Sequence, residues 1–198
     1  MAEPAIKQMT VDEFLRWEDG TDTRYELIDG VVVAMAPPAR AHGILAVRLG
    51  GALAAALRAR RPCIAQSEAG VVRPDRDDLC FVADIAVSCD PVQREDRLIP
   101  NPILIVEILS RSTNAFDRNT KVPEYRQIPS VEEILLLDSE SAFAEILRRD
   151  GERWITEIVL GMEATLSLAS APLTVAMSEL YEGIPLPERP GQSAAATR

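Results

Sequence analysis

Two carboxylates lie in the middle of two short apolar runs of the sequence. Asp84 lies within FVADIAV, and Glu107 lies within ILIVEIL. A carboxylate in a buried strand is costly unless it is paired, hydrogen-bonded or coordinated to a metal. If the two strands are neighbours, both acids can hold one hard cation such as Mg²⁺. The pair therefore predicts a metal or catalytic site, and a structural salt bridge at each acid is the alternative.

One lysine is a second candidate, because the basic residues are almost all arginines. Of the 21 basic residues only Lys7 and Lys121 are lysines. The lysine ammonium is a compact point charge that can lie beside a reacting oxygen, whereas the arginine guanidinium is planar and spreads its charge over three nitrogens. Lys121 is therefore a candidate catalytic residue. An ordinary i,i+4 salt bridge with Asp117 on one helix is the alternative.

Four further residues are candidates for the same site. Glu26 lies in an alternating strand, so it is either an additional acid or an exposed strand residue. Tyr125 lies one helical turn after Lys121, where it can orient the lysine, contact a substrate or simply pack. His42 is the single histidine and shares a helix face with core leucines, so burial is the alternative to binding. Arg111 and other arginines border either a DNA groove or a solvated face.

The elements that must position these residues follow from the apolar pattern and the turn signals. A capping box at Thr10–Glu13 opens a short helix, and Asp29-Gly30 and Asp150-Gly151 each turn a hairpin. Pro123 should bend or interrupt the helix that carries Lys121. The predicted elements are strands at 24–28 and 31–35, a helix at 41–60, strand pieces at 63–66 and 70–72, buried strands at 81–87 and 103–109, a helix from 112 or 113 to 127, strands at 131–137, 142–149, 153–160 and 165–168, and a short helix at 177–181.

The composition is that of an ordinary globular chain of 198 residues, with 47% hydrophobic and 26% charged residues. It predicts a single domain at 9–184, a loose leader at 1–8 and a disordered tail rich in Pro and Ala at 185–198. The net charge of −10 argues against broad, non-specific binding to nucleic acid. It leaves room for a local basic groove, or for an acidic site that holds a cation.

The cellular compartment is predicted from what the sequence lacks. It has no apolar run of about 18 residues, and its first residues have neither the basic flank nor the apolar segment of a secretory signal. The three cysteines, Cys63, Cys80 and Cys89, lack the paired spacing of a zinc site. We therefore expect a cytoplasmic protein with reduced cysteines and no membrane partner.

A series of motifs, taken in order, resembles a known family over roughly residues 9 to 181. The motifs are YELIDG at 25–30, Pro37-Pro38 with His42, Ala83-Asp84, EILSRST at 107–113 with Asp117, Lys121 and Tyr125, IPSV at 128–131, and the strand that ends in Asp138. They resemble the restriction-endonuclease-like family of unknown function that is common in cyanobacteria and other bacteria, within the PD-(D/E)XK nuclease superfamily. The resemblance implies a mixed α/β (α+β) fold of the restriction-endonuclease type, with a central mixed sheet flanked by helices and an N-terminal β-hairpin.

The resemblance also implies roles for the candidate residues. Asp84 matches the acid of the PD motif and Glu107 the acid of the (D/E)XK motif, and both would bind Mg²⁺, with Mn²⁺ as the expected substitute. Leu109 stands where the superfamily has its lysine, so Lys121 would supply that charge from the following helix. Glu26 would be an additional catalytic acid. The position before Asp84 is alanine rather than the motif's proline, which mainly shapes the backbone.

The function implied is a Mg²⁺-dependent DNA endonuclease that hydrolyses phosphodiester bonds, with Tyr125, His42 and Arg111 contacting the substrate. A homodimer is expected, because cutting both strands of a duplex generally requires two sites and two-fold symmetry is the commonest assembly. The alternative is a catalytically inactive binding or regulatory module that keeps the nuclease fold. The acidic composition and the missing in-strand lysine favour that alternative, whereas the presence of Asp84, Glu107 and Lys121 together favours the nuclease. A hydrolase of RNA or of smaller phosphoesters is a third reading.

Overall fold

A computed structural model describes residues 8–187. Residues 1–7 of the predicted leader and residues 188–198 of the predicted tail lie outside the described residues. The helices are α1 Val11–Arg16, α2 Arg40–Ala56, α3 Asn114–Phe116, α4 Val122–Tyr125 and α5 Met177–Leu180, with a 3₁₀ turn at Leu57–Ala59 and a π-helical turn at Asp117–Lys121. The strands are β1 Tyr25–Ile28, β2 Val31–Ala34, β3 Ile64–Val72, β4 Cys80–Ser88, β5 Leu104–Leu109, β6 Glu133–Asp138, β7 Phe143–Asp150, β8 Arg153–Leu160, β9 Thr165–Leu168 and β10 Leu173–Ala176.

Eight strands form one mixed sheet in the order β2-β1-β4-β5-β6-β7-β8, and β3 pairs with β4. The β5–β6 pair is parallel, and the other pairs are antiparallel. Strands β9 and β10 form a separate two-stranded sheet. The expected mixed sheet with an N-terminal hairpin is confirmed, and the two strands that carry the acids are neighbours.

Local signals explain how several elements begin and end. Asp29 and Gly30 both have positive φ, 49° and 77°, as a tight two-residue hairpin turn requires. The side chain of Thr10 accepts from the backbone of Glu13, whose carboxylate reaches back to Thr10, which is the predicted capping box. Helix α2 buries Leu45, Leu49 and Leu53, which share one helix face. Within residues 8–187, no helix is long and apolar enough to cross a membrane.

The sheet separates two apolar cores. The core on the side of α2 contains Leu45, Leu49 and Leu53 and is closed by residues of β9, β10 and α5. The opposite core lies beneath the helical segment 114–125 and contains Val122 and Tyr125. We call them the α2-side core and the α4-side core. Strand β5 lies between them and is buried along its whole length, as its apolar sequence predicts.

Two strands differ from the sequence prediction. The predicted pieces at 63–66 and 70–72 are one continuous strand, β3, which runs through Glu68 in a left-handed conformation with φ 50°. The polar residues around Glu68 made the strand look interrupted. Strand β10 is not predicted by the sequence pattern, because its four residues are too few to show a period.

The helix that carries Lys121 continues through Pro123 and is not interrupted there. A π-helical turn at Asp117–Lys121 precedes the proline, and the backbone N–H of Val122 bonds the carbonyl of Asp117. Pro123 stands at the start of α4, where the fixed φ of proline suits the first turn of a helix. Single π-helical turns often occur at functional sites, and this one ends at Lys121.

The expectation of reduced cysteines is wrong for two of the three. The structure joins Cys63 and Cys89 in a disulfide, and Cys80 is free and buried. The register of two strands is the reason. Ile64 pairs with Ser88 at the end of the β3–β4 ladder, so the cysteines just beyond that pair lie opposite each other.

A buried carboxylate at the start of β6 ties the small β9–β10 sheet to the main sheet. Glu133 Oε2 accepts from the backbone N–H groups of Ala169 and Ser170 at 2.9 and 2.8 Å and from the Ser170 hydroxyl at 2.6 Å. Its Oε1 accepts from Arg148 Nε at 2.7 Å. Burial alone would raise the pKa of Glu133, but these hydrogen bonds outweigh it and hold the pKa below its ordinary value.

We predict that Glu133→Gln lowers the free energy of unfolding by about 2 kcal/mol at neutral pH, because hydrogen bonds to a charged group are lost. A carboxylate whose folded-state pKa is depressed stabilises the fold above its unfolded pKa, and that contribution disappears as the pH falls through the folded pKa. The difference between wild type and variant should therefore be full above about pH 5 and should shrink in acid. Urea denaturation at a series of pH values measures it.

The matched control is Glu157→Gln, because Glu157 pairs with the same Arg148 but is half exposed. Its loss should be about 0–1 kcal/mol, as for exposed ion pairs. Equal losses of unfolding free energy for the two variants, or a Glu133→Gln loss that does not change with pH, would contradict a stabilising role for the Glu133 hydrogen bonds.

Candidate active site

The site lies on the edge of β4 that faces away from β3. Strand β1 meets this edge at the Leu27–Cys80 pair, and β5 pairs with Ile85 and the two residues after it. Between these two contacts, the backbone of Val82 forms hydrogen bonds with side chains instead of with a strand. Its N–H donates to Glu26 Oε1 at 2.9 Å, and its carbonyl accepts from Lys121 Nζ at 3.1 Å. A carboxylate and an ammonium therefore take the place of a neighbouring strand.

Lys121 is the centre of a buried ion cluster. Its Nζ lies 2.9 Å from Glu26 Oε1, 3.3 Å from Glu107 Oε1 and 3.7 Å from Asp117 Oδ1. Lys121 is 4% exposed and Glu107 2%. The salt bridge to Asp117 that the sequence offered as an alternative does form, but the contacts to Glu26 and Glu107 are shorter. Glu26 thus lies where it orients the lysine.

Tyr125 lies beneath Glu107. Its hydroxyl donates to Glu107 Oε1 at 2.6 Å, and its ring packs edge-on against Phe81 with centroids 5.7 Å apart. The side chain is 1% exposed. The resemblance implies that Tyr125 contacts a substrate; the structure gives it the packing that the sequence left open as an alternative, together with a hydrogen bond to Glu107. Burial and the neighbouring Glu107 charge raise the pKa of Tyr125 well above its ordinary value, so the hydroxyl keeps its proton.

Asp84 is held from the other side of the sheet. His42 Nε2 lies 3.0 Å from Asp84 Oδ1, and the backbone N–H of Ile108 donates to Asp84 Oδ2 at 2.6 Å. Asp84 keeps about a fifth of its side chain exposed, unlike Glu107. Burial alone would lower the pKa of His42, but the hydrogen bond and charge of Asp84 raise it above the ordinary value. His42 therefore fixes one oxygen of the predicted metal ligand.

The side-chain alternation of β4 changes at Asp84. Residues two apart in a regular strand share a face, yet Ala83 belongs to the α4-side core and Ile85 to the α2-side core. On β3, Glu68 lies opposite Asp84, between residues paired with Ile85 and Ala83, and it has the left-handed φ already noted. The two strands are thus irregular at the same point, beside the acid predicted to do chemistry.

The cluster carries an excess of negative charge. Four carboxylates, those of Glu26, Asp84, Glu107 and Asp117, share the cluster with one ammonium, an excess of three negative charges when all four are ionised and His42 is neutral. Burial, together with the charges of Asp84 and Asp117, raises the pKa of Glu107 to about 8 despite the lowering effect of Lys121, so protonation of Glu107 reduces the excess near neutral pH. Burial alone would lower the pKa of Lys121, but Glu107 and Glu26 raise it, so the lysine stays charged. An added cation would relieve this imbalance.

An open cavity of about 890 Å³ gives access to the cluster. Its lining includes five of the predicted site residues, namely His42, Asp84, Glu107, Arg111 and Lys121. Glu26 and Tyr125 are buried and contact the lining residues. The structure therefore brings all seven predicted residues together, five along the cavity and two as supports for Lys121 and Glu107.

Sequence reasoning missed several residues that also line the cavity, among them Arg24 and Glu68. Arg24 stands directly before the YELIDG motif, and that position could have marked it. Glu68 gives no sequence signal, because its approach to Asp84 depends on the register of β3 against β4.

The donor atoms suit a hard divalent cation. Within residues 8–187, no three His, Cys, Asp or Glu side chains are grouped so as to ligate one ion by themselves. Mg²⁺ commonly takes only one or two protein carboxylates and keeps several waters, so Asp84 and Glu107 are a sufficient protein contribution. The oxygen-only donors and the negative excess fit Mg²⁺ or Mn²⁺ better than a softer metal.

The mixed sheet, its flanking helices and the paired acids on β4 and β5 define the class of protein: its fold is restriction-endonuclease-like. A crystal structure described as "a putative nuclease belonging to DUF820 from Anabaena variabilis ATCC 29413" superposes with a TM-score of 0.72 over 87% of this chain and 97% of that one, at 19% identity. At that level of identity the likeness concerns the fold alone.

The chain belongs to the Uma2 family, described as "Putative restriction endonuclease", whose model matches residues 11–178. Two similar proteins come from Synechocystis sp. (strain ATCC 27184 / PCC 6803 / Kazusa). The uncharacterized protein slr1290 is 30% identical over 89% of this chain and 93% of its own length. The uncharacterized protein sll1609 is 27% identical over 85% and 97%. The family expected from the motifs is therefore confirmed.

We predict that Lys121→Met lowers the free energy of unfolding by about 3–5 kcal/mol, because it leaves buried carboxylates without their partner. Adding Glu26→Gln should restore part of this loss, since the second substitution removes one unpaired charge and can keep the bond from Val82 N–H. The double variant should be clearly more stable than the sum of the two single losses implies. Urea denaturation of the four proteins measures the coupling.

The matched control pairs Lys121→Met with Asp117→Asn, because Asp117 lies further from Nζ. Its coupling should be smaller than that of Glu26. Additive losses for Lys121 and Glu26 would show that their proximity carries no interaction energy.

Proposed function

We propose that this protein is a Mg²⁺-dependent DNA endonuclease that hydrolyses phosphodiester bonds. The observation that carries the proposal is the convergence of Asp84, Glu107 and Lys121 at one open cavity. Two acids and one lysine are the donor set that the PD-(D/E)XK motif implies, here with the lysine supplied by a helix. Membership of the family described as "Putative restriction endonuclease" supports the same chemistry.

Each side chain has a task in this proposal. Asp84 and Glu107 would hold Mg²⁺, which when bound lowers the pKa of a water and neutralises charge on the phosphate. Lys121 stabilises the negative charge that develops on the reacting phosphate or orients the attacking water. His42 and Tyr125 each fix one oxygen of an acid, through their contacts of 3.0 and 2.6 Å. Glu26 keeps Lys121 charged and holds its ammonium beside Glu107.

The proposed substrate is duplex DNA and the proposed assembly a homodimer. The cavity is open enough for a backbone phosphate to reach the acids, and Arg111 at its rim is 88% exposed. Cutting both strands in one encounter requires two sites, which a two-fold dimer supplies.

One observation favours the inactive alternative. Lys121 is almost fully buried and already contacts three carboxylates, so its ammonium is heavily engaged. A purely structural ion cluster would show the same burial and the same contacts of Lys121. Plasmid cleavage separates the two readings.

We predict that the full chain nicks supercoiled plasmid with Mg²⁺ or Mn²⁺ and that EDTA stops the reaction. Glu107→Gln should lower the rate at least about 100-fold, because the variant loses a metal ligand but keeps the size of the side chain. Lys121→Ala should lower it at least about 100-fold through lost charge stabilisation. Gel analysis of nicked and linear DNA over time measures the rates, and early linear product indicates two sites acting together.

The control is Arg16→Gln, an exposed residue of α1 purified in the same way, which should cleave like wild type. Thermal melts establish that each variant is folded. Cleavage that survives in Glu107→Gln would identify a contaminant, and no cleavage by a folded wild type would favour the binding module.

We also predict that Mg²⁺ stabilises the wild type but not Asp84→Asn. At 100 times the dissociation constant, a ligand that binds only the folded state adds about 2.7 kcal/mol to the free energy of unfolding. Asp84→Asn should remove most of this gain while its stability without metal stays near that of wild type. Denaturation with and without Mg²⁺ measures it, with Asp12→Asn on α1 as the control. An equal gain in Asp84→Asn would exclude Asp84 as a ligand.

A further inference from the structure

Two arginines line the cavity, and each is ion-paired to an acid that lines the same cavity. Arg24 pairs with Glu68, and Arg111 pairs with Glu140 at 3.3 Å. All four side chains are about half exposed or more. The cavity's other cationic groups, Lys121 and the histidine, lie deeper and are engaged by the catalytic acids.

The two pairs come from opposite sides of the site. Arg24 directly precedes β1 and Glu68 lies in β3, whereas Arg111 follows β5 and Glu140 lies in the turn between β6 and β7. In the sheet, β1 and β5 flank the stretch of β4 that carries the site. Arg24 pairs with an acid of β3 and Arg111 with one that follows β6, and β3 and β6 lie on either side of the β4–β5 pair, so one guanidinium stands on each side of Asp84 and Glu107.

A polynucleotide needs cations at this position. The excess of negative charge around Lys121 repels a phosphodiester, so the phosphates beside the reacting one must meet positive charge at the rim. Guanidinium groups suit this task, because their planar donors bind phosphate oxygens in pairs. Arg24 and Arg111 are the arginines that line the cavity in the part of the chain that the structure describes.

We propose that Arg24 and Arg111 form a two-point binding site for the phosphates of a DNA strand that flank the reacting phosphate. Glu68 and Glu140 occupy the two guanidinium groups in the free protein, and the phosphates displace them. The inference rests on the proposed function, since it takes DNA as the ligand, and it adds the residues that bind the strand and those that weaken its binding.

The two acids suit an exchange of partners. Exposed ion pairs contribute little stability, so a phosphate can replace the carboxylate at small cost. Glu68 is also held in a left-handed conformation in the middle of a strand, which L-residues rarely adopt. Backbone outliers of this kind cluster at ligand sites, where the surrounding structure maintains them. Because Glu68 and Glu140 compete with phosphates for the guanidinium groups, the protein should bind DNA weakly unless both arginines contact phosphates.

The test is binding of a fluorescently labelled DNA duplex, measured by anisotropy between 50 and 200 mM salt, to the full chain carrying Glu107→Gln so that the duplex is not cut. Arg24→Gln and Arg111→Gln should each weaken binding about tenfold and reduce the slope of log K against log salt by about 1. Glu68→Gln and Glu140→Gln should each tighten binding about threefold or more.

Coupling distinguishes displacement from a general change of charge. The tightening by Glu68→Gln should vanish when Arg24 is also replaced by glutamine, and that by Glu140→Gln should vanish with Arg111→Gln. Arg16→Gln and Asp12→Asn, an exposed pair on α1, serve as charge-matched controls and should leave affinity within about twofold.

Unchanged affinity in Arg24→Gln and Arg111→Gln, or equal tightening by Asp12→Asn and Glu68→Gln, would overturn the two-point site. Plasmid cleavage by the wild type reports on the proposed function separately. Cleavage with uncoupled variants therefore rejects this site alone, whereas no cleavage and no binding by any variant rejects both.

Discussion

A buried ammonium must be matched by carboxylates, and this requirement organises the centre of the molecule. Lys121 lies in a helix, Glu26 in β1 and Glu107 in β5, and their charges meet beside the backbone of β4. Removing the lysine would leave the acids without a counter-charge in a medium that solvates charge poorly. The same three contacts hold the hairpin, the sheet centre and the helix in register, so the proposed catalytic groups are also part of the fold's framework.

The sheet makes room for this cluster by leaving part of β4 to side chains. Regular pairing on that edge stops at Leu27 on one side and resumes at Ile85 on the other. In between, Glu26 and Lys121 satisfy the backbone of Val82, so buried polar groups keep their partners. A regular ladder would fill that edge with backbone. The irregular stretch therefore both positions the acids and opens the cavity that reaches them.

Much of the fold and part of the site could be predicted because their signals are local. Asp84 and Glu107 stand out as acids inside apolar runs, and the turn Asp29-Gly30 fixes the hairpin through its backbone conformation. Other features depend on which strands pair and in what register. The disulfide of Cys63 and the approach of Glu68 to Asp84 follow from the β3–β4 ladder, which no local pattern specifies. The burial of Tyr125 beneath Glu107 likewise depends on how the helix packs across the sheet.

Because Glu26 and Glu107 share one lysine, the order in which these residues can be substituted during evolution is restricted. A lineage that no longer needed hydrolysis could not simply discard Lys121, because the intermediate with unpaired acids would fold poorly. Neutral drift would have to replace the lysine and its acids nearly together, or first neutralise Glu26 or Glu107. Descendants without catalysis should therefore retain the cluster, lack one of its acids, or have lost it as a block, and chains that lack the lysine alone should be rare.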